Sequence, residues 1–149
     1  MTYKDFYADL LVSRKQRLME GGKLFSPLSN RVTNEEMNQV FDELKSKLSK
    51  KFHKFSLSPS LPSKKDHGDI DIVVLSYNGE SVRNAVLSLI QDSIEKNNET
   101  LFVNSNGNIF SVLYNPDNLK KKVHIDFIAA TSEEDFKNKM DFLSSGVYH

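Results

Sequence analysis

The sequence contains no cysteine and carries no excess of charge of either sign. Without cysteine the chain forms no disulfide and no thiolate site, and zinc lacks its commonest structural ligand. The 20 basic and 20 acidic residues cancel, whereas a domain that binds duplex DNA unaided is usually clearly basic. No apolar run is long enough to cross a bilayer, and the N-terminus lacks the basic-then-apolar layout of a signal peptide. We therefore expect a cytoplasmic protein that does not enter membranes.

The length of 149 residues fits one domain, 1–149, with a single core. Apolar residues recur at helical spacing in the first third, 1–51, and strand patterns dominate 52–146. The order of elements predicts an α/β (α+β) fold, a small mixed sheet flanked by helices. The predicted helices are 3–20, 33–51, 80–96 and 133–143, and the predicted strands are 52–58, 69–75, 101–103, 109–114 and 123–128.

Two carboxylates lie on the clearest strand of the chain. Asp69 and Asp71 alternate with Ile70 and Ile72, so the two carboxylates share one face. Asp126 alternates in the same way with apolar neighbours on a later strand. Three carboxylates on two adjacent strands can hold two Mg²⁺ about 4 Å apart. The alternative is a turn that enters a strand with solvated carboxylates, and the aspartate in a second apolar strand counts against it.

The segment His67-Gly68-Asp69-Ile70-Asp71-Ile72-Val73-Val74 resembles the Gly-Asp-apolar-Asp-apolar strand of the DNA polymerase β-like nucleotidyltransferase superfamily. The segment 123–128 resembles the strand that supplies that family's third carboxylate, and 133–146 is similar to the helix and Ser-Gly turn that follow it. The resemblance covers roughly 52–146 and implies a nucleotidyltransferase fold. It also implies that Asp69 and Asp71 bind two Mg²⁺ (or Mn²⁺) ions and that Asp126 binds the catalytic one.

The sequence departs from the family pattern at the turn that precedes the first aspartate. The family has a Gly-Ser pair there, whose N–H groups and hydroxyl hold the terminal phosphates of the nucleotide. This chain has Pro59-Ser60, and proline has no N–H to donate. We therefore expect side chains to contact the phosphates instead, namely those of Ser60, Ser63, Lys64 and Lys65. The alternative is that these residues form a polar surface loop.

Two histidines flank the aspartates, and both read as polar residues at strand ends rather than as ligands. His67 precedes the first strand of the motif, and His124 stands two residues before Asp126. A phosphate contact is the alternative role for each.

Two functions follow from these patterns. The first is a cytoplasmic nucleotidyltransferase that moves a nucleoside monophosphate from an NTP to a hydroxyl of a nucleic acid, a protein or a small molecule. The second is a catalytically degenerate domain of the same fold that acts as a binding or regulatory subunit. The intact aspartate triad favours the enzyme. Pro59, zero net charge and the early end at His149 favour the alternative. The family continues into a helical region here, which a partner protein would then supply.

Overall fold

The computed structural model describes residues 28–59, 65–95, 101–103 and 107–144, and for 101–103 it describes the backbone only. This part of the chain is a mixed α+β structure with three α-helices and a five-stranded mixed sheet. A short 3-10 helix, Gln91–Ser93, follows the second helix. The elements in chain order are β1 (Val32–Thr33), α1 (Asn34–Leu48), β2 (Phe52–Leu57), β3 (Asp66–His67), β4 (Ile70–Ser76), α2 (Val82–Ile90), β5 (Leu101–Val103), β6 (Ile109–Tyr114), β7 (Val123–Ala130) and α3 (Glu133–Ser144).

Helix α1 begins with a complete capping box. The Thr33 hydroxyl accepts a hydrogen bond from the Glu36 N–H at 3.1 Å, and the Thr33 N–H donates to the Glu36 carboxylate at 2.9 Å. These two bonds satisfy donors that a helix start otherwise leaves without partners. Thr33 is therefore the N-cap of α1, and the helix ends at Leu48, three residues before the predicted Lys51.

The main sheet has the strand order β2-β4-β7-β6-β5. Strands β4 and β7 run parallel to each other, and every other neighbouring pair in this sheet is antiparallel. The prediction of a mixed sheet is therefore confirmed. Strands β1 and β3 form a separate two-stranded ribbon, in which Val32 pairs with His67.

The sheet has an apolar core on each face. Helices α1 and α2 cover the face that carries Ile70, Ile72, Ile125 and Phe127. Helix α3 covers the other face through Phe136 and Leu143, which belong to a second cluster. The sheet residues of that second cluster are Val73, Leu75, Ile109, Ile128 and Ala130. Because β4 and β7 are central and covered on both faces, they are apolar almost throughout, as buried parallel strands usually are.

A buried tyrosine links α1 to β6. The Tyr114 hydroxyl donates to one oxygen of Glu43, and the other oxygen of Glu43 accepts the Asp117 N–H at 3.0 Å. Burial and the adjacent Glu43 carboxylate raise the pKa of Tyr114 well above its usual range. Tyr114 is therefore a neutral donor whose bond holds α1 against the sheet.

A buried ion pair fixes α3 to the end of β7. Lys139 is 1% exposed, and its ammonium donates to the Ala129 carbonyl at 2.6 Å and lies 3.0 Å from Asp135. Asp135 also accepts the Thr131 N–H at 2.8 Å, and its own N–H donates to Ser132. Ser132 is therefore the N-cap of α3, which begins at Glu133.

Element ends differ from the sequence predictions by a few residues. The helix predicted for 80–96 ends at Ile90 and tightens into the 3-10 turn, and the strand predicted for 69–75 is shifted by one residue to Ile70–Ser76. The helix predicted for 3–20 lies outside the described residues. Within the described ranges no helix has the length and apolar character needed to cross a bilayer.

Candidate metal centre

Two neighbouring strands place aspartates side by side. In the parallel pairing of β4 with β7, Asp71 is the register partner of Asp126. Residues paired in this way share a face of the sheet, and neighbouring strands lie about 4.8 Å apart. Val73 and Ile128, the next residues on this face, pack in the core under α3. The aspartates therefore lie on the α3 face, closer to the start of both strands.

Asp126 is the buried centre of this group. It is 2% exposed, and one of its oxygens, Oδ1, accepts a hydrogen bond from the Ser111 hydroxyl at 2.5 Å. The same oxygen lies 2.8 Å from Nε2 of His124. Ser111 is the register partner of Asp126 on β6, and His124 stands two residues earlier on β7, so all three side chains share one face. A buried carboxylate needs such polar partners to offset its loss of water.

The ligand atoms of Asp69, His124 and Asp126 all lie within 4.8 Å of one another. This is the group among the described residues that could hold a metal ion. Asp69 stands directly before β4 and is half-buried, whereas His124 and Asp126 are buried. Two carboxylates and an imidazole form a ligand set that suits a divalent cation.

This group contains His124, which was not predicted as a ligand, and does not include Asp71, which was. The predicted set was Asp69, Asp71 and Asp126. In the structure the ligand atoms of Asp69 and Asp126 lie close to that of His124. Asp71 lies next to this group, in register with Asp126. Sequence reasoning gave His124 no ligand role. The spacing of two residues between His124 and Asp126 could have indicated this role, because such residues lie on the same face of a strand.

The β1–β3 ribbon leads into Asp69. Arg31 donates two hydrogen bonds to one oxygen of Asp66, at 2.9 and 2.7 Å. A Cβ on Gly68 would lie 3.2 Å from Nη1 of Arg31, so glycine leaves the room that the guanidinium occupies. His67 is buried, and its Nε2 lies 2.5 Å from the Asn34 side-chain oxygen. His67 is thus engaged with the start of α1.

The predicted phosphate loop is described only at its edges. Ser60, Ser63 and Lys64 lie outside the described residues. Pro59 and Lys65 are described, and both are exposed. The phosphate role of these side chains remains a prediction.

A concavity of about 420 Å³ has a lining that shares no residue with the candidate metal group. Three consecutive lysines contribute to it, but two of them are ion-paired: Lys121 lies 2.7 Å from Glu36, and Lys122 lies 3.0 Å from Glu95. Hydrogen bonds from these lysines lower the pKa of both glutamates. The lining residues are Leu28, Asn30, Asn115, Leu119, Lys120, Lys121 and Lys122.

The interpretation of this site rests on its own residues, since no similar family or protein was found. No protein-family model matches the chain. A comparison with curated protein sequences gives no match either.

Proposed function

We propose that this chain folds as the catalytic domain of a DNA polymerase β-like nucleotidyltransferase and transfers a nucleoside monophosphate from an NTP to a hydroxyl acceptor. One observation carries the proposal: adjacent parallel strands hold Asp71 and Asp126 in register, beside a group of ligand atoms from Asp69, His124 and Asp126. Aspartates on neighbouring strands, in a sheet with helices on both faces, suit two-metal phosphoryl transfer. The motif order in the sequence supports the same reaction.

In the proposed reaction the acceptor hydroxyl gives up its proton to water, and its oxygen attacks the α-phosphorus of the NTP. The bond from that phosphorus to the oxygen bridging the α- and β-phosphates breaks, and pyrophosphate leaves. Bound Mg²⁺ or Mn²⁺ would lower the pKa of the acceptor hydroxyl and neutralise charge on the phosphates. The protein holds the ligands in place: Ser111 orients Asp126, and the strand pairing fixes Asp71 beside it. Side chains of the 60–65 loop would add phosphate contacts.

The test is transfer of label from each NTP carrying α-³²P, with Mg²⁺ or Mn²⁺, to a panel of RNA, DNA, protein and small-molecule hydroxyls. We expect labelled acceptor and an equal amount of pyrophosphate from the wild type. Asp126→Asn should abolish transfer, and Asp141→Asn, an exposed carboxylate on α3, should keep it. If the wild type yields no pyrophosphate and no NTP raises its melting temperature in the presence of metal, the proposal is wrong.

Pro59 favours a second candidate function, in which a domain of the same fold binds a nucleotide but does not transfer its nucleoside monophosphate. Pro59 is exposed and offers no N–H at the turn where the family's phosphate cradle stands. Under this candidate an NTP with Mn²⁺ raises the melting temperature, but no acceptor releases pyrophosphate. The chain would then serve as a binding or regulatory subunit.

A further inference from the structure

His124 has no role in the two-metal reaction proposed above, although it lies beside the aspartates. Its side chain is 8% exposed, and its Nε2 faces Oδ1 of Asp126 at 2.8 Å. Strand β7 holds both residues on one face, and Ser111 donates to the same carboxylate from β6. The imidazole is therefore held against the aspartates by the sheet itself.

The separations fit two ligands of one cation. Two donors that bind a cation at about 2.1 Å and at right angles lie about 3.0 Å apart. The 2.8 Å between His124 and Asp126 is close to that value. Donors on opposite sides of such an ion lie about 4.2 Å apart. The ligand atoms of the group lie within 4.8 Å of one another, so Asp69 needs a shift of about 0.6 Å at most to lie opposite one of the others. A cation bound to both Nε2 and Oδ1 would replace the hydrogen bond between them.

The donor atoms determine which cation fits. Mg²⁺ prefers oxygen ligands alone, whereas first-row transition-metal ions accept an imidazole nitrogen beside carboxylate oxygens. We propose that His124 is a ligand of the cation at this centre, and that the centre therefore binds a transition-metal ion such as Mn²⁺ with a larger advantage over Mg²⁺ than carboxylates alone provide. This inference rests on the metal site of the proposed function and specifies its metal.

The hydrogen bond from Ser111 supports this role. A metal-binding carboxylate is usually held by an outer hydrogen bond, and loss of such a partner costs about 10–100-fold in metal affinity. Ser111 occupies that outer position for Asp126, at full burial. Loss of a direct ligand should cost at least as much. Removing the imidazole should therefore weaken Mn²⁺ binding about tenfold or more and leave Mg²⁺ binding within about threefold.

The experiment compares the wild type with His124→Asn and with His53→Asn as the matched control. His53 is an exposed histidine on β2 beside the far end of β4, because its neighbour Phe52 pairs with Ser76. Calorimetric titration with Mn²⁺ and with Mg²⁺ gives, for each protein, the ratio of the dissociation constant for Mg²⁺ to that for Mn²⁺. Pulsed electron paramagnetic resonance of Mn²⁺ bound to the wild type detects a directly coordinated imidazole nitrogen without any substitution.

We expect a ¹⁴N coupling in the wild type and in His53→Asn, and a ratio that falls about tenfold or more in His124→Asn alone. A wild-type spectrum without a coordinated nitrogen overturns the inference, even if His124→Asn fails to fold. An unchanged ratio in a folded His124→Asn overturns it as well. If either occurs while Asp126→Asn still abolishes label transfer, the proposed function stands. If nitrogen coordination is seen but no NTP is consumed, the metal assignment stands and the proposed function fails.

Discussion

The register of β4 and β7 predicts that the metal-free protein carries electrostatic repulsion at Asp71. Asp71 is the parallel partner of Asp126, and neighbouring strands are about 4.8 Å apart. Two like charges about 5 Å apart repel by roughly 3 kcal/mol at an effective dielectric constant of 20. Asp71 is only half-buried, so solvent screening reduces this, and we take about 1–2 kcal/mol as the net effect. Asp71→Asn keeps the side-chain shape and removes the charge.

The expected result is a more stable protein in the absence of metal. Unfolding entropy of about 2.1 cal/mol/K per residue gives about 0.3 kcal/mol per kelvin for a chain of this length. A gain of about 1–2 kcal/mol therefore raises the melting temperature of Asp71→Asn by roughly 3–6 °C in excess chelator. Added Mn²⁺ should raise the melting temperature of the wild type and affect Asp71→Asn less.

Calorimetric melting at neutral pH and low salt checks this, with Asp141→Asn as the control. That substitution also removes one carboxylate, but from an exposed position on α3, and should change stability by less than about 0.5 kcal/mol. An Asp71→Asn protein that melts no higher than Asp141→Asn in chelator would refute the reasoning. The two paired aspartates would then not both be charged in the metal-free state.

Three other perturbations have expected outcomes. Ser111→Ala removes the donor to buried Asp126, and chemical denaturation should show a loss of about 1.5–3 kcal/mol in chelator; a loss below about 0.5 kcal/mol would mean that this bond is not made. Tyr114 has a raised pKa, so its neutral form stabilises the fold below an unfolded-state pKa of about 10, and that stabilisation is lost as pH rises further. Absorbance titration should then give the same tyrosinate signal for wild type and Tyr114→Phe until alkaline unfolding, and an earlier extra proton release in the wild type would contradict it. Lys139→Met leaves the carboxylate of Asp135 buried and should cost about 3 kcal/mol in urea unfolding, of which Asp135→Asn in the same chain restores a part.

The sequence by itself determined the elements and their faces. Alternation predicted that Asp69 and Asp71 share the face opposite Ile70 and Ile72, because a strand's side chains alternate with a period of two. The start of the second helix was predicted at 33 and α1 begins at Asn34, because a helix cap depends on residues within three positions of one another. Such features depend on neighbours along the chain, so they could be predicted from the sequence.

The tertiary structure decided which residues meet across strands. Asp71 and Asp126 are 55 positions apart, and only the parallel pairing of β4 with β7 makes them neighbours. The pairing of β7 with β6 brings Ser111 to the carboxylate of Asp126, which His124 contacts from two residues away on β7 itself. Strand phase could place His124 on the face of Asp126, but its burial and the direction of its ring depend on packing. A histidine between Val123 and Ile125 therefore reads as an ordinary strand residue in the sequence, and becomes a candidate ligand only once the sheet is assembled.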